Sequence, residues 1–438
     1  MGIRKQPAGS RVNPDFSNRS KPVEKEKIAA VLWGNTMEYF DSFVYVHMLI
    51  IITPLFFPTS DPLALSILAA TGFSINYVAR PFGALLFGYI GDKIGRRISL
   101  YISITLMFLA TGFIGVLPTY AQTGIYASVG LLVLRFLQGF SCSGEASGAL
   151  IYVMESIPTE KRYFYSALYN ATITGGGVIA AFVITFSLSF LSEESAWRYP
   201  FQVAALVGCL GLLMRYNLSE TKEFKDQKDK SKNVKLRQIL LERKNLKNIF
   251  RVGSFSLFDA ATFWMTYVFL TGLLSKHLGL DSKYVVIHNG AVMIFEIMIG
   301  FVAAKLSLRL GGIKIALRSV YLIIISIFPL LFFIKSMNYA YVAILLTQML
   351  IIACGSTFCV STDPLRAYLF PVIGRFMGLA FGVSLGRILG YVVGGYLLIV
   401  FDHLFGQIGG AIYLLIFTLP ALWAVKTLAP DSQASGIL

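Results

Sequence analysis

The stretch GYIGDKIGRR, residues 88–97, joins two long apolar runs at residues 63–90 and 98–117. Within it, Gly95 permits a close bend and a positive φ, and Asp92 can cap a helix or pair with a neighbouring cation. Three basic side chains in the same stretch favour the cytoplasmic face of a membrane. The pattern predicts a tight cytoplasmic turn between two helices that cross a lipid bilayer.

Apolar runs of this kind recur along the whole chain. Of its 438 residues, 56% are hydrophobic and 14% are charged, whereas soluble domains carry about 25% charged residues. About 20 apolar residues in a helix cross the ~30 Å hydrocarbon core. The sequence therefore predicts an all-α integral membrane protein with twelve transmembrane helices. The predicted spans are residues 28–57, 63–90, 98–117, 124–154, 164–191, 197–216, 249–275, 285–307, 314–334, 338–360, 371–399 and 406–428.

Basic residues are concentrated in alternate loops. Most of the 38 Lys and Arg residues precede the first span, separate the sixth span from the seventh, or lie in other loops on that side. The remaining loops hold only Arg198, Lys276, Lys283 and Lys335. This asymmetry predicts that both termini are cytoplasmic. The net charge of +15 then reflects topology, and we expect no nucleic-acid partner.

The polar segment at residues 217–248 divides the chain into two halves with six spans each. Arg162, after the fourth span, has a counterpart in Arg375, after the tenth, and Gly95 has one in Gly311. These matches predict two pseudo-symmetric six-helix bundles, joined by a solvated, partly helical linker. The predicted units are a cytoplasmic tail (1–27), an N-terminal bundle (28–216), a cytoplasmic linker (217–248), a C-terminal bundle (249–428) and a second cytoplasmic tail (429–438).

Several charged residues fall inside the apolar runs. Each costs at least ~2.5–3.5 kcal/mol at the centre of a bilayer, so such residues face partners or a water-filled cavity and not lipid. Most of these positions lie near the middle of their spans, where transporters place their sites. The intramembrane charges are Glu38, Asp41, Arg80, Arg135, Glu145, Asp259, Glu296 and Arg387.

Four of these charges are candidates for proton coupling. Glu38 and Asp41 are three residues apart and share one helix face. Two nearby acids repel each other, which favours protonation of one of them. Arg135 is either a counter-charge that controls a neighbouring acid or part of a structural ion pair, and Glu145 is the next candidate to carry the proton.

The other four are candidates for substrate binding. Arg80 and Arg387 come from opposite halves, and the forked guanidinium group suits a carboxylate. We expect the two arginines to clamp one anionic group, although fixed salt bridges are the alternative. Asp259 and Glu296 are expected either to line the substrate cavity or to form salt bridges, and the sequence does not separate these two interpretations.

Other chemistries have little support in the sequence. Four cysteines (Cys142, Cys209, Cys354 and Cys359) lie in apolar runs without a metal-binding spacing. The four histidines are dispersed, and no nucleotide-binding loop is present. We therefore expect no metal, no cofactor and no enzymatic activity, with a polytopic membrane enzyme as a remote alternative. The polar, basic N-terminus predicts no cleaved signal peptide.

Several motifs resemble those of a known superfamily. Residues 88–97 resemble the signature loop of the major facilitator superfamily, and Arg135-Phe-Leu-Gln138-Gly139 resembles its Arg-x-x-Gln-Gly motif. The second half is degenerate, since residues 308–312 lack the acid of the loop. Further motifs resemble the metabolite:proton symporter family, which includes α-ketoglutarate, citrate and shikimate permeases and proline/betaine transporters. They are Gly34-Asn35-Thr-Met-Glu38-Tyr39-Phe40-Asp41, Arg80-Pro81-Phe-Gly83, Gly144-Glu145 and Trp197-Arg198-Tyr-Pro200-Phe201.

The resemblance implies a proton symporter that works by alternating access in a bacterial inner membrane, as a monomer. Arg80 and Arg387 favour a small carboxylate-bearing metabolite as the imported substrate. The alternative is an osmolyte of the proline or glycine betaine type. The osmolyte branch often carries a long C-terminal coiled coil, whereas this sequence ends about ten residues after its last predicted span, so osmosensing of that type is not expected. The residues expected to form the gating loop are Gly88, Asp92, Lys93, Gly95, Arg96 and Arg97.

Overall fold

The computed structural model describes residues 25–216, 218–231, 240–280 and 282–435. Twelve long helices follow one another in these ranges, and we number them α1 to α12 in chain order. They are α1 (Lys25–Phe56), α2 (Pro62–Lys93), α3 (Arg96–Val116), α4 (Ile125–Ser156), α5 (Arg162–Phe190), α6 (Arg198–Met214), α7 (Arg243–Leu278), α8 (Ser282–Leu310), α9 (Gly312–Ser336), α10 (Tyr341–Ala367), α11 (Arg375–Phe405) and α12 (Gln407–Ser435).

Most of these helices suit a bilayer. In the described part of the chain, nine are long and apolar enough to cross a membrane, and α6 is apolar but shorter. Large apolar side chains are exposed around the outside of the bundle, such as Phe182 at 73%, Phe190 at 74% and Phe332 at 74%. A soluble protein rarely exposes so much apolar surface, and hydrocarbon is the solvent that it suits.

Each half has its own hydrophobic core, and a third cluster joins the halves. One core is built from α1 and α3 to α6, and another from α7, α9, α10, α11 and α12. The joining cluster contains Phe87 and Tyr152 from the first half and Ile249 and Phe376 from the second. It lies at the end of the bundle where the α2–α3, α4–α5 and α10–α11 turns meet. We call this end, which carries Lys93, Arg162 and Arg375, the basic end.

The turns at the basic end repeat between the halves. Gly95, between α2 and α3, has a φ of +151°, and Gly311, between α8 and α9, has a φ of +88°. Such values favour glycine because side chains clash there. Arg162 and Arg375 begin α5 and α11. The residues matched between the halves in the sequence therefore occupy equivalent positions in the fold.

The helix boundaries and the linker differ from the sequence-based expectation. Helix α7 begins at Arg243 and not near residue 249, and α10 continues to Ala367, beyond residue 360. The linker segment was expected to be solvated, yet Leu218 and Phe224 are 2% and 1% exposed. These two apolar side chains pack against the basic end, and the short helix Lys222–Ser231 lies over it. The tail at residues 1–24 lies outside the described residues.

Candidate functional site

A cavity of about 130 Å³ lies between the two halves at mid-depth. This is room for roughly ten water molecules at the 10–15 Å³ that each requires. Helices α1, α2, α4 and α5 form one wall, and α7, α8, α10 and α11 form the other. The charged residues on the wall are Arg80, Arg135, Asp259, Glu296, Asp363, Arg366 and Arg387.

Arg80 and Arg387 reach this cavity from opposite halves. Arg80 donates to Asn76 Oδ1 from Nε at 3.3 Å and from Nη2 at 3.1 Å. Arg387 Nη2 donates to the hydroxyl of Tyr39 at 2.7 Å. Within the described ranges, neither arginine has a carboxylate within salt-bridge distance. Both guanidinium groups are thus held in place by neutral partners and keep their charge uncompensated by an ion pair.

A row of aromatic rings runs from Arg80 in the first half to the helices of the second half. The Arg80 guanidinium lies 4.5 Å from the centre of the Tyr77 ring. Tyr77 stacks on Tyr391 at 4.7 Å with an interplanar angle of 14°. Tyr391 meets Phe263 edge to face at 5.4 Å, and Phe263 lies 5.4 Å from Tyr267. The cavity therefore combines cationic groups with a continuous aromatic surface.

Asp41 and Arg135 are connected through Gln138. The amide nitrogen of Gln138 donates to Asp41 Oδ2 at 2.7 Å, and its amide oxygen accepts from Arg135 Nη1 at 2.7 Å. The same nitrogen also donates to the Thr111 hydroxyl at 2.9 Å. The Arg135 guanidinium lies 3.6 Å from the Tyr45 ring centre. The Arg-x-x-Gln motif thus holds a buried acid at one end and a cavity-lining cation at the other.

Glu38 lies one turn before Asp41 and is fully buried. Neither of its carboxylate oxygens has a hydrogen-bond partner among the described residues. Burying an ionised carboxylate without a partner costs several kcal/mol. Glu38 therefore lies in the interior without the hydrogen bonds that usually accompany an ionised carboxylate.

Glu145 forms a buried ion pair that the sequence analysis did not identify. Its Oε2 accepts from Arg215 Nη1 at 2.7 Å, and its Oε1 accepts from Arg215 Nη2. Both side chains are fully buried, and Arg215 also donates to the carbonyl oxygen of Val31 at 3.0 Å. Arg215 lies at the end of the sixth predicted span, one residue before its last position, and it was counted among the cytoplasmic basic residues. Glu145 does not line the cavity. Its charge is therefore neutralised by Arg215 away from the cavity.

The acids of the second half differ in their partners. Glu296 Oε2 accepts from the Tyr267 hydroxyl at 2.8 Å. Asp259 Oδ1 accepts a weak hydrogen bond from the thiol of Cys359 at 3.6 Å, and its side chain has no other hydrogen-bond donor among the described residues. Neither acid forms an ion pair in that part of the chain. Both lie on the cavity wall, as one of the two sequence-based interpretations required.

An ion pair on the cavity wall, formed by Asp363 and Arg366, was not predicted because α10 is longer than expected. Arg366 Nε lies 3.0 Å from Asp363 Oδ1. Asp363 Oδ2 also accepts from Asn170 at 2.6 Å and Ser166 at 3.1 Å, which belong to α5. The predicted span ended at residue 360, so these charges were placed outside the membrane. Through Asn170 and Ser166, the pair links the two halves at the wall of the cavity.

The loop at residues 88–97 closes the basic end. Asp92 accepts the backbone N–H groups of Phe376 at 3.1 Å and Met377 at 2.9 Å, at the start of α11. Arg96 pairs with Asp92 at 2.9 Å and donates to the carbonyl oxygen of Val372 at 2.7 Å. A carboxylate at a helix N-terminus is stabilised by the free N–H groups and the helix dipole. These bonds join the two halves across the basic end.

A second space of about 420 Å³ lies on the other side of the cavity, away from the basic end. It shares Phe43, Phe73, Phe263 and Tyr391 with the central cavity. The remainder of its lining comes from the far ends of the same helices, such as Ile399 on α11. A molecule entering from that end would meet this aromatic layer before the central charges.

A family model described as Major Facilitator Superfamily matches residues 31–379. The chain belongs to the major facilitator superfamily. It is similar to the proline/betaine transporter of Escherichia coli strain K12, with 31% identity over 373 residues, 81% of this chain and 73% of the relative. It is also 32% identical over 302 residues to the proline/betaine transporter of Salmonella typhimurium. That match covers 66% of this chain, and it spans 60% of the length of the relative.

Solved structures show the same fold. The structure of the major facilitator superfamily proton:xylose symporter XylE of E. coli, bound to 6-bromo-6-deoxy-D-glucose, has a TM-score of 0.76 and 15% identity. The alignment covers 92% of this chain and 95% of XylE. The all-α membrane fold and the superfamily expected from the motifs are confirmed. The protein is a multi-pass membrane transporter and not an enzyme.

The predicted site residues occupy three different places in this transporter: the central cavity, the protein interior behind it, and the basic end. Arg80, Arg387, Arg135, Asp259 and Glu296 meet at the central cavity. The buried acids of α1 lie behind its wall. Glu145 is engaged by Arg215, and the signature loop lies at the basic end. Positions on one helix face could be predicted from spacing, whereas the partners of Glu145 and Arg80 depend on how the helices pack.

Proposed function

We propose that this transporter imports a small zwitterionic osmolyte, of the proline or glycine betaine type, together with protons across a bacterial inner membrane. The observation that carries the proposal is the pair Arg80 and Arg387, which lie beside the aromatic row without an ion-pair partner among the described residues. The curated relatives favour this osmolyte over the simple carboxylate that the sequence analysis preferred, because their names specify proline and betaine.

The carboxylate of the substrate binds between Arg80 and Arg387. Guanidinium groups form charge-assisted, often bidentate hydrogen bonds to carboxylates. Asn76 and Tyr39 accept hydrogen bonds from Arg80 and Arg387 and fix these two side chains in place. Little side-chain entropy therefore remains to be lost on binding. Because the arginines belong to different halves, a bound carboxylate attracts the halves toward each other.

The cationic end of the substrate lies against the aromatic row. The faces of Tyr77, Tyr391 and Phe263 carry negative charge density that attracts a quaternary or protonated nitrogen. Such faces also provide apolar contact for methyl groups or a pyrrolidine ring. A simple dicarboxylate would gain from the arginines but would place its second charge against these ring faces.

Proton coupling is assigned to Glu38 and Asp41. Glu38 is buried without a hydrogen-bond partner in the described structure and lies one turn from Asp41 on the same helix. Rearrangement of the halves brings water or a cation to this site and releases the proton. Arg135 donates to Gln138, which in turn donates to Asp41, and the same arginine lines the cavity. Asp41 is thus connected to the substrate cavity.

The transport cycle alternates between two closures. In the present state the basic end is closed by Asp92, Arg96 and the start of α11. The positive-inside rule places this end, and both termini, in the cytoplasm. The access path then lies on the opposite side, where substrate enters in an uptake cycle. One chain contains the complete cavity, which is consistent with a working monomer.

The direct test is uptake by the purified chain in proteoliposomes, with and without an inward proton gradient. We expect accumulation of radiolabelled proline or glycine betaine only with the gradient, and little uptake of citrate, α-ketoglutarate or shikimate. Gradient-driven uptake of one of these carboxylates, with no uptake of the zwitterions, would restore the carboxylate function. Uptake that is unaffected by the gradient would rule out proton symport.

A further inference from the structure

Asp259 faces the central cavity and has no role in the proposed function so far. Building on that function, we propose that Asp259 binds the cationic nitrogen of the substrate. In this role it selects zwitterions over carboxylates of the same shape. Asp259 would then be a specificity-determining residue that contacts the cationic end of the substrate, while the arginines bind its carboxylate.

Asp259 and Arg387 lie in one layer of the cavity. Asp259 precedes Phe263 by four residues on α7, and Arg387 precedes Tyr391 by four residues on α11. Side chains four residues apart share a helix face. The rings of Phe263 and Tyr391 meet edge to face at 5.4 Å, and α7 packs directly against α11. The acid and the arginine therefore occupy corresponding positions one turn toward the basic end from this aromatic pair.

The two charges do not neutralise each other by direct contact. They are close enough to interact electrostatically, yet no salt bridge joins them in the described ranges. Arg387 donates to Tyr39 instead, and Asp259 has the Cys359 thiol, a weak donor, at 3.6 Å. A molecule with a carboxylate and a cationic nitrogen a few bonds apart matches this arrangement, with its carboxylate toward Arg387 and its nitrogen toward Asp259.

Glu296 is the competing candidate, and its contacts argue against it. Its Oε2 already accepts a hydrogen bond from Tyr267 at 2.8 Å. It belongs to α8, which packs mainly against α5 and α10, whereas α7 is the direct neighbour of α11. Asp259 is thus the acid on the helix next to the arginine that binds the carboxylate.

The aromatic pair and the acid make distinguishable contributions. Phe263 and Tyr391 contact any ligand of the right shape through apolar surface, and they attract a cation in addition. Asp259 contributes only if the ligand carries positive charge. A ligand that keeps the carboxylate but has an uncharged tert-butyl group in place of the cationic nitrogen therefore reports the packing. The difference between the two ligands reports what the rings and Asp259 together add for the positive charge.

The test compares glycine betaine with 3,3-dimethylbutyrate, in which carbon replaces the quaternary nitrogen and the carboxylate is kept. The dissociation constant of each ligand is measured on the purified full chain in detergent. We expect the wild-type protein to bind glycine betaine roughly ten- to a hundred-fold more tightly, the usual effect of a charged interaction. In Asp259→Asn the ratio of the two constants falls several-fold, toward the smaller value that the aromatic rings alone give, because betaine loses a charged contact and 3,3-dimethylbutyrate does not.

Glu296→Gln is the matched control, because it neutralises another acid on the wall of the same cavity. It should reduce the ratio of the two constants less than Asp259→Asn does, and a larger reduction in Glu296→Gln would assign the nitrogen to Glu296 and overturn this inference. Asp259→Glu keeps the charge and should keep part of the discrimination. The melting temperature of each variant is measured in parallel, and Asp259→Ser replaces the Asn variant if the latter does not fold.

A folded Asp259→Asn or Asp259→Ser protein with the wild-type ratio would overturn this inference and leave the proposed function standing. Equal binding of both ligands by the wild-type protein would also overturn it, while retaining the arginine site for carboxylates. Binding of neither ligand by the wild-type protein would overturn the proposed function, and this inference with it.

Discussion

Glu223, in the short helix after α6, lies 2.5 Å from Arg375 at the first turn of α11, measured from Oε2 to Nη1. The Tyr368 hydroxyl donates to Glu223 Oε1 at 3.1 Å. The linker itself is anchored on the first half, where Thr221 donates to Glu155 at 2.7 Å. Glu223 therefore ties the two halves together at the basic end, beside the bonds made by the signature loop.

Removal of this tie should favour opening of the basic end. We predict that Glu223→Gln raises the rate at which a cysteine introduced at Ser147, on the cavity wall, reacts with a maleimide reagent added from the cytoplasmic side. The Glu223 side chain is 32% exposed, so solvent screens the pair. Such a pair contributes about 0.2–1 kcal/mol, which corresponds to a rate increase of up to about fivefold.

The control for this change is Asp226→Asn, which removes the same charge from an exposed position of the same helix. It should leave the labelling rate unchanged, in a background without the four native cysteines. Equal labelling rates in Glu223→Gln and the parent protein would show that the linker does not restrain the basic end.

The topology assigned to the basic end can be tested by reporter fusions. Fusions after Lys27, Lys93, Lys230 and Gln433 should report a cytoplasmic location, because basic residues are retained on that side. Fusions after Lys276 and Lys335 should report the opposite side. A periplasmic signal at Lys230 would contradict the division into two six-helix halves.

Proton coupling predicts separate effects on accumulation and exchange. Glu38→Gln and Asp41→Asn should each abolish gradient-driven accumulation in proteoliposomes, since the neutral amide cannot release a proton. Counterflow exchange of substrate, which needs no net proton movement, should persist in part. Glu26→Gln changes an exposed acid of the same helix and should leave both activities intact. Retention of gradient-driven accumulation by both variants would place the proton carrier elsewhere.

The buried pair of Glu145 and Arg215 should act on stability. Removal of one member of a buried ion pair costs about 3–5 kcal/mol because the other charge is left without compensation. We therefore predict a marked fall in melting temperature for Arg215→Ala and for Glu145→Ala, measured in detergent. The double variant Glu145→Leu with Arg215→Met should recover much of the loss. Independent, additive losses in the double variant would contradict a direct pair.

Hydropathy and charge asymmetry predicted the membrane fold because they depend on the transfer free energy of each residue alone. The functional contacts depend instead on partners that are distant in sequence. Arg215 is by position a cation at the cytoplasmic end of the sixth span, yet it becomes the partner of Glu145 when α6 packs against α1 and α3. Phe224 is one apolar residue in a charged stretch, and it is buried against the guanidinium group of Arg96. Neither contact has a periodic signal.

Several of the charged residues predicted from the sequence line the central cavity. Depth in the membrane predicted that Arg80, Arg387, Asp259 and Glu296 reach one cavity. Helices that cross the same bilayer place residues of equal depth in one layer. Depth did not distinguish a cavity residue from a buried one, so Glu145 was grouped with the acids of α1. The roles of all these residues in transport remain predictions.

The central prediction concerns Arg80 and Arg387 as the carboxylate site. Replacement of either by Lys keeps one positive charge but removes the forked donor, so fewer hydrogen bonds reach the carboxylate. Loss of a charged hydrogen bond costs about 1.5–3 kcal/mol, or roughly a ten- to hundred-fold loss of affinity for glycine betaine and for 3,3-dimethylbutyrate alike. Because both side chains have neutral partners in the described structure, the melting temperature should change little. Arg309→Lys, at an exposed position at the end of α8, is the control and should change neither quantity. Unchanged ligand binding in folded Arg80→Lys and Arg387→Lys proteins would exclude the clamp, and a large loss of stability would indicate structural arginines instead.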